Sequence, residues 1–594
     1  MTWGTGSSGD GKGKMSEIPT ILFDSFGSGS FGSSWRFGGY VKTLLATQSA
    51  DVADILNQVE QAAENGLYAA GFVTYEAASA LNHDLPSTLP LEGLPLAWFA
   101  LFRERYNVDA GAGTALSFAD ITLEPDKSLE DYAGEVERIR AYIAAGDCYQ
   151  VNHTFLLSGS FKGDPGDSYR ALGTAQCASF SAYLDIGRFA ILSTSPELFF
   201  SLKDGKITTR PMKGTARRGR WADEDLSAIE QLRESPKEKA ENLMIVDLLR
   251  NDLGIVAEVG SVKVDVLFEV ETYPSVHQMT STVSAQLRPD TGLLDIFQAL
   301  FPCGSVTGAP KRRSMEIITD LENAPRGVYC GAIGCIAPGG EALFSVAIRT
   351  LLFDREKSST SMGVGSAVTW DSEASSEYAE CLSKGAFVNQ QRQDFRLIES
   401  LRLENGVYIL LDRHMARLSS SAGYFGFNCD QGKIRQALSD YAIQVQALCK
   451  VRLSLESDGS FDISSGIILD SVIPLHIAIS TVKVSSKDRM RYHKTTCREL
   501  LDIARSDRPD CDEIVFVNER GQLTEGSYHT LVLKLGGQFV TPLQGCGLLP
   551  GVLRSELLEQ RKIMERILYP EDLERADELW LINSVRGWRR GVLI

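Results

Sequence analysis

At 594 residues, with 43% apolar and 23% charged positions, the chain is too long for one hydrophobic core and too apolar for wholesale disorder, so two or more domains are expected. A net charge of −17 argues against nucleic acid as a partner while leaving room for a local basic pocket that takes a small anion. Eleven cysteines without paired spacing read as reduced thiols, and no apolar run reaches the ~18–20 residues that span a bilayer, so a cytoplasmic protein with no membrane contact is expected.

Residues 1–17 open on a Gly/Ser-rich stretch without an apolar signal core and read as a disordered leader, with Met15 an alternative start. From Ile18 to Arg392, apolar strand patterns such as Phe189–Phe200 mix with amphipathic helical ones such as Leu129–Ala145. Such mixing predicts an α+β domain over residues 18–392. The polar patch Asn389–Asp394 is followed by a strand pattern and the turn Glu404-Asn405-Gly406, which together predict a hairpin opening a second domain over 393–594.

Within the first domain, Glu238 and Glu241 lie three apart in the helical stretch Pro236–Leu249, and Glu377 and Glu380 repeat that spacing in a second helical stretch. Residues at i and i+3 share a helix face, so each helix presents two carboxylates together. If the faces meet, the four charges need protons or a cation, and hard oxygen ligands suit Mg²⁺. Taken alone, the spacing is equally that of solvated acidic faces. The Gly-rich turn Phe301–Lys311 leads into a helical run and could hold an anion on its backbone N–H groups. Arg349 ends the strand pattern Leu343–Arg349, and Gly363-Val364-Gly365 would let the backbone approach a ligand closely.

Further ordered blocks accompany these: Gly146–Asn152, Ser193-Thr-Ser-Pro-Glu197, Arg210-Pro-Met-Lys213-Gly-Thr215, Glu241–Leu253, Gly304–Lys311 and Glu377–Lys384. Together they resemble the chorismate-utilising enzymes, which include anthranilate synthase component I, aminodeoxychorismate synthase component I, and the isochorismate and salicylate synthases. The resemblance covers roughly residues 130–390 and implies antiparallel sheets flanked by helices. It further implies that Glu238, Glu241, Glu377 and Glu380 hold Mg²⁺ against the substrate's ring carboxylate. Arg349 and Tyr329 would orient the enolpyruvyl carboxylate, and Gly214, Thr215, His277, Ser305, Gly363, Gly365 and Lys384 would line the pocket.

Lys213 sorts the reactions within that family, because anthranilate synthases carry alanine in this block while aminodeoxychorismate synthases and some isochorismate-forming relatives carry lysine. A buried lysine is a nucleophile once desolvation or a neighbouring cation lowers its ordinary pKa near 10.4. The resemblance implies that Lys213 attacks ring position two, that Glu197 serves as general acid/base, and that ammonia enters at position four. The sequence contains no Gly-x-Cys-x-Gly segment with a downstream His-x-Glu, so a separate glutamine amidotransferase subunit is the implied ammonia source. Leu22-Phe-Asp-Ser25 resembles the strand on which relatives bind tryptophan; the rest of that pocket is not recognisable, and no tryptophan control is expected.

The second domain carries Arg413-His-Met-Ala-Arg417, Tyr492-His-Lys494, Thr524-Glu525-Gly526-Ser527, Gly547–Arg554, and Asn583–Gly587 at the end of what reads as the last strand. These blocks resemble the fold-type IV pyridoxal-phosphate enzymes. By that resemblance Lys494 carries the cofactor, Glu525 faces the pyridine nitrogen, and Arg417, the backbone at Val552 and Leu553, and Ser584 contact the phosphate. Cys497 and Thr530 depart from the asparagines that relatives often carry there. Such relatives often pair through this half, which implies a homodimer.

The residues alone leave lyase and aminotransferase open. Fusion to a domain that forms aminodeoxychorismate favours a lyase releasing p-aminobenzoate and pyruvate, since the two steps are consecutive. The competing readings are an isochorismate, salicylate or anthranilate synthase fused to an aminotransferase, and a C-terminal half kept only for docking.

Overall fold

The computed structural model describes residues 18–26, 33–108, 120–389, 395–445, 447–468 and 474–594. The expected leader (1–17) and most of the polar junction (390–394) lie outside the described residues. The chain divides into two units, one of Met1–Ala216 with Gln231–Arg392 and the other of Arg217–Glu230 with Gln393–Ile594. A short internal segment, 217–230, therefore belongs with the C-terminal residues, a departure from the contiguous 18–392 and 393–594 halves expected above.

Among the described residues, the strand pairs of defined register in the first unit run antiparallel. Its longest unbroken ladder among the described residues joins Ser359–Val368 to Gln150–Lys162, in register from Ser359↔Ser160 to Val368↔Val151. The expected Phe189–Phe200 strand is two strands, Phe189–Ser195 and Leu198–Lys203, broken at Pro196 and Glu197. Proline removes a ladder donor, so the break falls where Glu197 must leave the sheet plane. The expected Leu343–Arg349 strand ends at Val346, and Arg349 sits in the left-handed region at φ 48°.

Local chemistry sets the helices that carry the candidate carboxylates. Ser235 accepts from the Glu238 N–H and Pro236 occupies the first turn, starting the helix Pro236–Val256. Glu373 caps Ala374–Gly385 in the same manner, accepting from the Ser376 N–H. Both helices place a glutamate in the first turn, where the helix dipole favours negative charge. Buried Asn242 pins the first of them to its sheet, donating to the carbonyls of Lys213 (3.2 Å) and Met279 (3.4 Å) while accepting from Ser281 Oγ at 2.6 Å.

The second unit holds a four-stranded sheet in the order 407–408, 397–404, 449–455, 461–467, covered by the helices Leu411–Phe425 and Gln431–Gln444. The expected hairpin at Glu404–Gly406 is present as Leu397–Glu404 paired to Val407–Tyr408. An eight-stranded mixed sheet follows, in which Leu475–Val484 runs parallel to both Glu513–Asn518 and Gly587–Leu593. Asn583–Gly587 is thus the turn between the last two strands rather than the end of the final one. No helix among the described residues is long and apolar enough to cross a membrane, and all eleven cysteines are free.

Candidate active sites

In the first unit, the strand Met212–Arg217, the helices Pro236–Val256 and Ala374–Gly385, and the strand Ser359–Val368 surround a cavity of about 200 Å³. Lys213, Glu197, Glu238, Glu241, Glu377 and Glu380 all line it. So do Gly214, Thr215, Ser305, Tyr329, Arg349, Gly363, Gly365 and Lys384. His277 does not: it is fully buried, with its Nδ1 3.0 Å from Thr272 Oγ1, and its neighbour Gln278 faces the cavity instead. Alternation along the strand puts adjacent residues on opposite faces, so only one of the two can reach the pocket. Gln278 takes a hydrogen bond from Thr215 Oγ1 at 3.1 Å.

Burial acts in opposite directions on the two central groups, because it disfavours whichever form is charged. It lowers the Lys213 amine, helped by the nearby Lys384 ammonium and opposed by Glu241, Glu197 and Glu380. It pushes the Glu197 carboxyl up to about 7 against Ser305 and Lys213, and Glu197 Oε1 is buried without a hydrogen-bond partner. Burial also raises Glu238 and Glu241, with the other carboxylates of the cluster adding to the rise. Against its own burial, Glu380 is held low chiefly by Lys384, whose Nζ lies 2.8 Å away and also donates to the Gly365 carbonyl at 2.9 Å.

Gly214 has φ +98°, and a Cβ there would lie 3.1 Å from Glu238 Oε2, so only glycine lets the carboxylate approach the strand. At Gly363 an added Cβ would lie 2.0 Å from the Tyr329 ring. Its small size therefore serves the packing of Tyr329 rather than the approach of a ligand to the backbone. Arg349 donates to Gln176 Oε1 at 3.0 Å rather than to a carboxylate. The Gly-rich turn uses part of its own hydrogen-bonding capacity internally. Within it, the Val306 and Thr307 N–H groups bond to Cys303 and Gly304, and Lys311 Nζ is engaged by Asp252 at 2.7 Å.

Four carboxylates, of which Glu238 and Glu241 are raised in part by their acidic neighbours, supply hard oxygen donors that fit a divalent cation such as Mg²⁺ in chemistry. Among the described residues no three His, Cys, Asp or Glu side chains are gathered into a preformed metal cage.

The second unit contains a cavity of about 750 Å³, lined among others by Lys494, Arg417, Glu525, Val552, Leu553 and Ser584, and also by Cys497 and Thr530. Burial, reinforced by Arg417 and Arg498, lowers the Lys494 amine to about 7. Arg417 is held by Glu399 through two hydrogen bonds of 2.8 and 2.6 Å and donates to the Pro550 carbonyl at 3.1 Å. Against full burial, the Arg417 guanidinium and the His414 ring keep the Glu399 carboxyl at about 2. Burial raises Glu525, opposed first by Arg491, which donates to its Oε1 at 3.2 Å.

The helix Val552–Glu559 has Gly551 before it and no side-chain cap, leaving first-turn N–H groups without an intrahelical acceptor. An open helix start, an arginine, a low-pKa amine and a buried carboxylate fit the phosphate, aldehyde and ring nitrogen of pyridoxal phosphate. Sequence reasoning missed Glu399, Arg491, and a basic wall of Lys450, Arg498 and Arg586. Burial and then the like charges of Arg452, Arg586 and Arg498 hold the Lys450 amine below its usual range. Three cations scattered over 137 residues carry no local spacing signal.

Residues 115–390 match the family model described as chorismate binding enzyme, and residues 396–594 match that of amino-transferase class IV. An aminodeoxychorismate synthase component 1 from Klebsiella aerogenes is 46% identical over 259 residues, 43% of this chain and 56% of that relative. An aminodeoxychorismate synthase from Streptomyces pristinaespiralis is 37% identical over 399 residues, 63% of this chain and 54% of the other. The chain thus spans about half the length of the curated relatives it matches. Among solved structures, anthranilate synthase component I from Streptococcus pneumoniae superposes with a TM-score of 0.53 at 26% identity, covering 65% of this chain and 95% of that one. Two family domains are therefore joined in this chain, a chorismate-binding one over residues 115–390 and a class IV amino-transferase one over residues 396–594.

Proposed function

We propose that the protein is a cytoplasmic enzyme making p-aminobenzoate in two steps, amination of chorismate to 4-amino-4-deoxychorismate followed by elimination of pyruvate. The observation that carries the first step is the cavity in which Lys213 and Glu197 face each other's charge beside four carboxylates. Burial lowers the amine and raises the acid to about 7, so both shifts favour the uncharged forms that a nucleophile and a proton donor need.

Glu238, Glu241, Glu377 and Glu380 would hold Mg²⁺. The ion, when bound, supplies positive charge to the substrate's ring carboxylate. Arg349 and Tyr329 would bind the enolpyruvyl carboxylate. Lys213 Nζ then attacks ring carbon two as the hydroxyl at carbon four departs with the Glu197 proton. Ammonia adds at carbon four and expels Lys213. A separate glutamine amidotransferase subunit is the proposed ammonia source, in keeping with the component 1 relatives.

In the second cavity Arg417, Ser584 and the Val552 and Leu553 N–H groups would hold the phosphate of pyridoxal phosphate. The cofactor, when bound, supplies an electron sink. Glu525 would keep the pyridine nitrogen protonated. Lys494 Nζ, neutral above about pH 7, would take the proton from ring carbon four as the enolpyruvyl group leaves and the ring aromatises. Lys450, Arg498 and Arg586 suit a substrate with two carboxylates, which favours the lyase reading over transamination of simple amino acids. Pairing of two chains through this unit is part of the proposal.

The test is product identification from purified protein given chorismate, Mg²⁺ and pyridoxal phosphate, with and without ammonium. Ammonium-dependent p-aminobenzoate and pyruvate are expected. Isochorismate or salicylate formed without ammonium would reject the amination, and accumulated aminodeoxychorismate would reject the lyase.

A further inference from the structure

The segment Arg217–Glu230 is separated by 162 residues, 231–392, from the rest of the unit it belongs to. It is braced internally: Arg218 donates to both Asp225 oxygens at 2.8 and 2.9 Å, the Gly219 N–H to Asp225 Oδ1 at 2.7 Å, and Arg220 to Glu224. Seven charged side chains in fourteen residues would ordinarily mark a solvated loop. Here one of them, Arg220, and the Trp221 ring both engage Tyr492, two residues before Lys494 in the same unit.

Arg220 Nη1 donates to Tyr492 Oη at 2.9 Å and to the carbonyls of Ser486 and Gly545, both at 3.1 Å. The Trp221 ring lies 4.9 Å from that of Tyr492. Tyr424 Oη donates to the Gly219 carbonyl at 2.6 Å, and the Tyr424 ring packs 4.5 Å from His493. His493 is held in addition by Ser421 Oγ, 2.9 Å from its Nδ1. Both residues immediately before Lys494 are thus buried against partners that the segment supplies or holds, while Lys494 itself turns into the cavity.

We propose that Arg217–Glu230 is a built-in clamp on the Lys494 segment, with Arg220 and Trp221 acting as positioning residues for the cofactor-bearing amine. The inference rests on the reading of the second cavity as a pyridoxal-phosphate site. Buried rings and a multiply bonded guanidinium fix backbone better than a flexible loop does, and a reactive group must be held within about half an ångström to act. Loosening the clamp admits water around Lys494, whose other neighbours, Arg417, Arg498, Lys450 and Glu399, are unaltered.

The experiment compares full-length wild-type protein with Trp221→Ala, Trp221→Phe and Tyr492→Phe. It measures pyridoxal-phosphate affinity by absorbance and, in the apoprotein, the pH midpoint of Lys494 acylation read by peptide mass spectrometry. Trp221→Ala should weaken cofactor binding about tenfold and raise the acylation midpoint, while Trp221→Phe restores most of both. Tyr492→Phe keeps the ring and removes only the hydroxyl, which accepts from Arg220 and donates to the Ser486 carbonyl at 2.7 Å, and it should weaken binding about threefold. Wild-type affinity and midpoint in both Trp221→Ala and Tyr492→Phe would overturn the clamp; if Trp221→Ala does not fold, Tyr492→Phe alone decides. A wild-type protein without a cofactor band would instead remove the cofactor reading, and the acylation midpoints would still judge the clamp.

Discussion

Lys213 and Glu197 illustrate how one physical cause, exclusion of water, prepares an amine and an acid for opposite tasks. The Glu197 carboxyl, raised to about 7, carries its proton below that pH and loses it as pH rises through 7. Lys213, lowered by burial, gains its neutral form as pH rises. Amination should therefore decline on the alkaline side with a midpoint near 7. Glu197→Gln should cut kcat by about 10²–10⁴-fold and erase that decline; a variant with the wild-type profile would remove Glu197 from proton transfer. Lys494→Ala should leave chorismate consumption intact and let the amino intermediate accumulate, as chromatography of the reaction would reveal, whereas normal p-aminobenzoate output would exclude Lys494. At this scale the sequence was legible where chemistry travels in short blocks: Lys213 with Gly214 and Thr215, or Lys494 beside its histidine. It was not legible at His277, because strand facing depends on register, nor at Glu399, whose partners His414 and Arg417 lie 15 and 18 residues away.

At the scale of elements, the glutamate helices were readable because caps and i,i+3 spacing are local, and Ser235 and Glu373 fulfil that local logic. Strand ends were less so: Pro196 splits one expected strand, and the last turn was taken for a terminus because hydrophobic alternation does not reveal how many strands follow. The Ser359–Val368 strand shows what glycine contributes between elements. Gly363 opposes Leu156 in the ladder and leaves the space that the Tyr329 ring fills. Gly363→Ala would overpack that contact, destabilising by about 1–3 kcal/mol. Because Tyr329 lines the cavity, the KM for chorismate should rise while the cofactor band of the other unit is unchanged. A thermal melt with steady-state kinetics checks this, and an unaltered KM would separate Tyr329 from substrate binding.

For the whole molecule, the informative fact is that every residue lining the smaller cavity belongs to the first unit and every residue lining the larger one to the second. The overall acidity of the chain, −17, hides the cations gathered at Lys450, Arg498 and Arg586, as composition averages must. The segment 217–230 was equally invisible, since its charges gave no sign of partners more than two hundred residues on. Sites assembled from separate residue sets need not share a chain to act in sequence. Lys213→Ala lacks the proposed nucleophile of the first step but keeps the second cavity whole; Lys494→Ala is its complement. Neither protein alone should form p-aminobenzoate from chorismate and ammonium. Mixed, they should form it after a lag, while aminodeoxychorismate released by one protein builds up in bulk solution for the other. The lag should shorten as the Lys213→Ala protein is increased, because consumption of the intermediate then limits the approach to steady state. A mixture that accumulates aminodeoxychorismate without ever forming p-aminobenzoate would mean that the second cavity accepts only substrate made on its own chain.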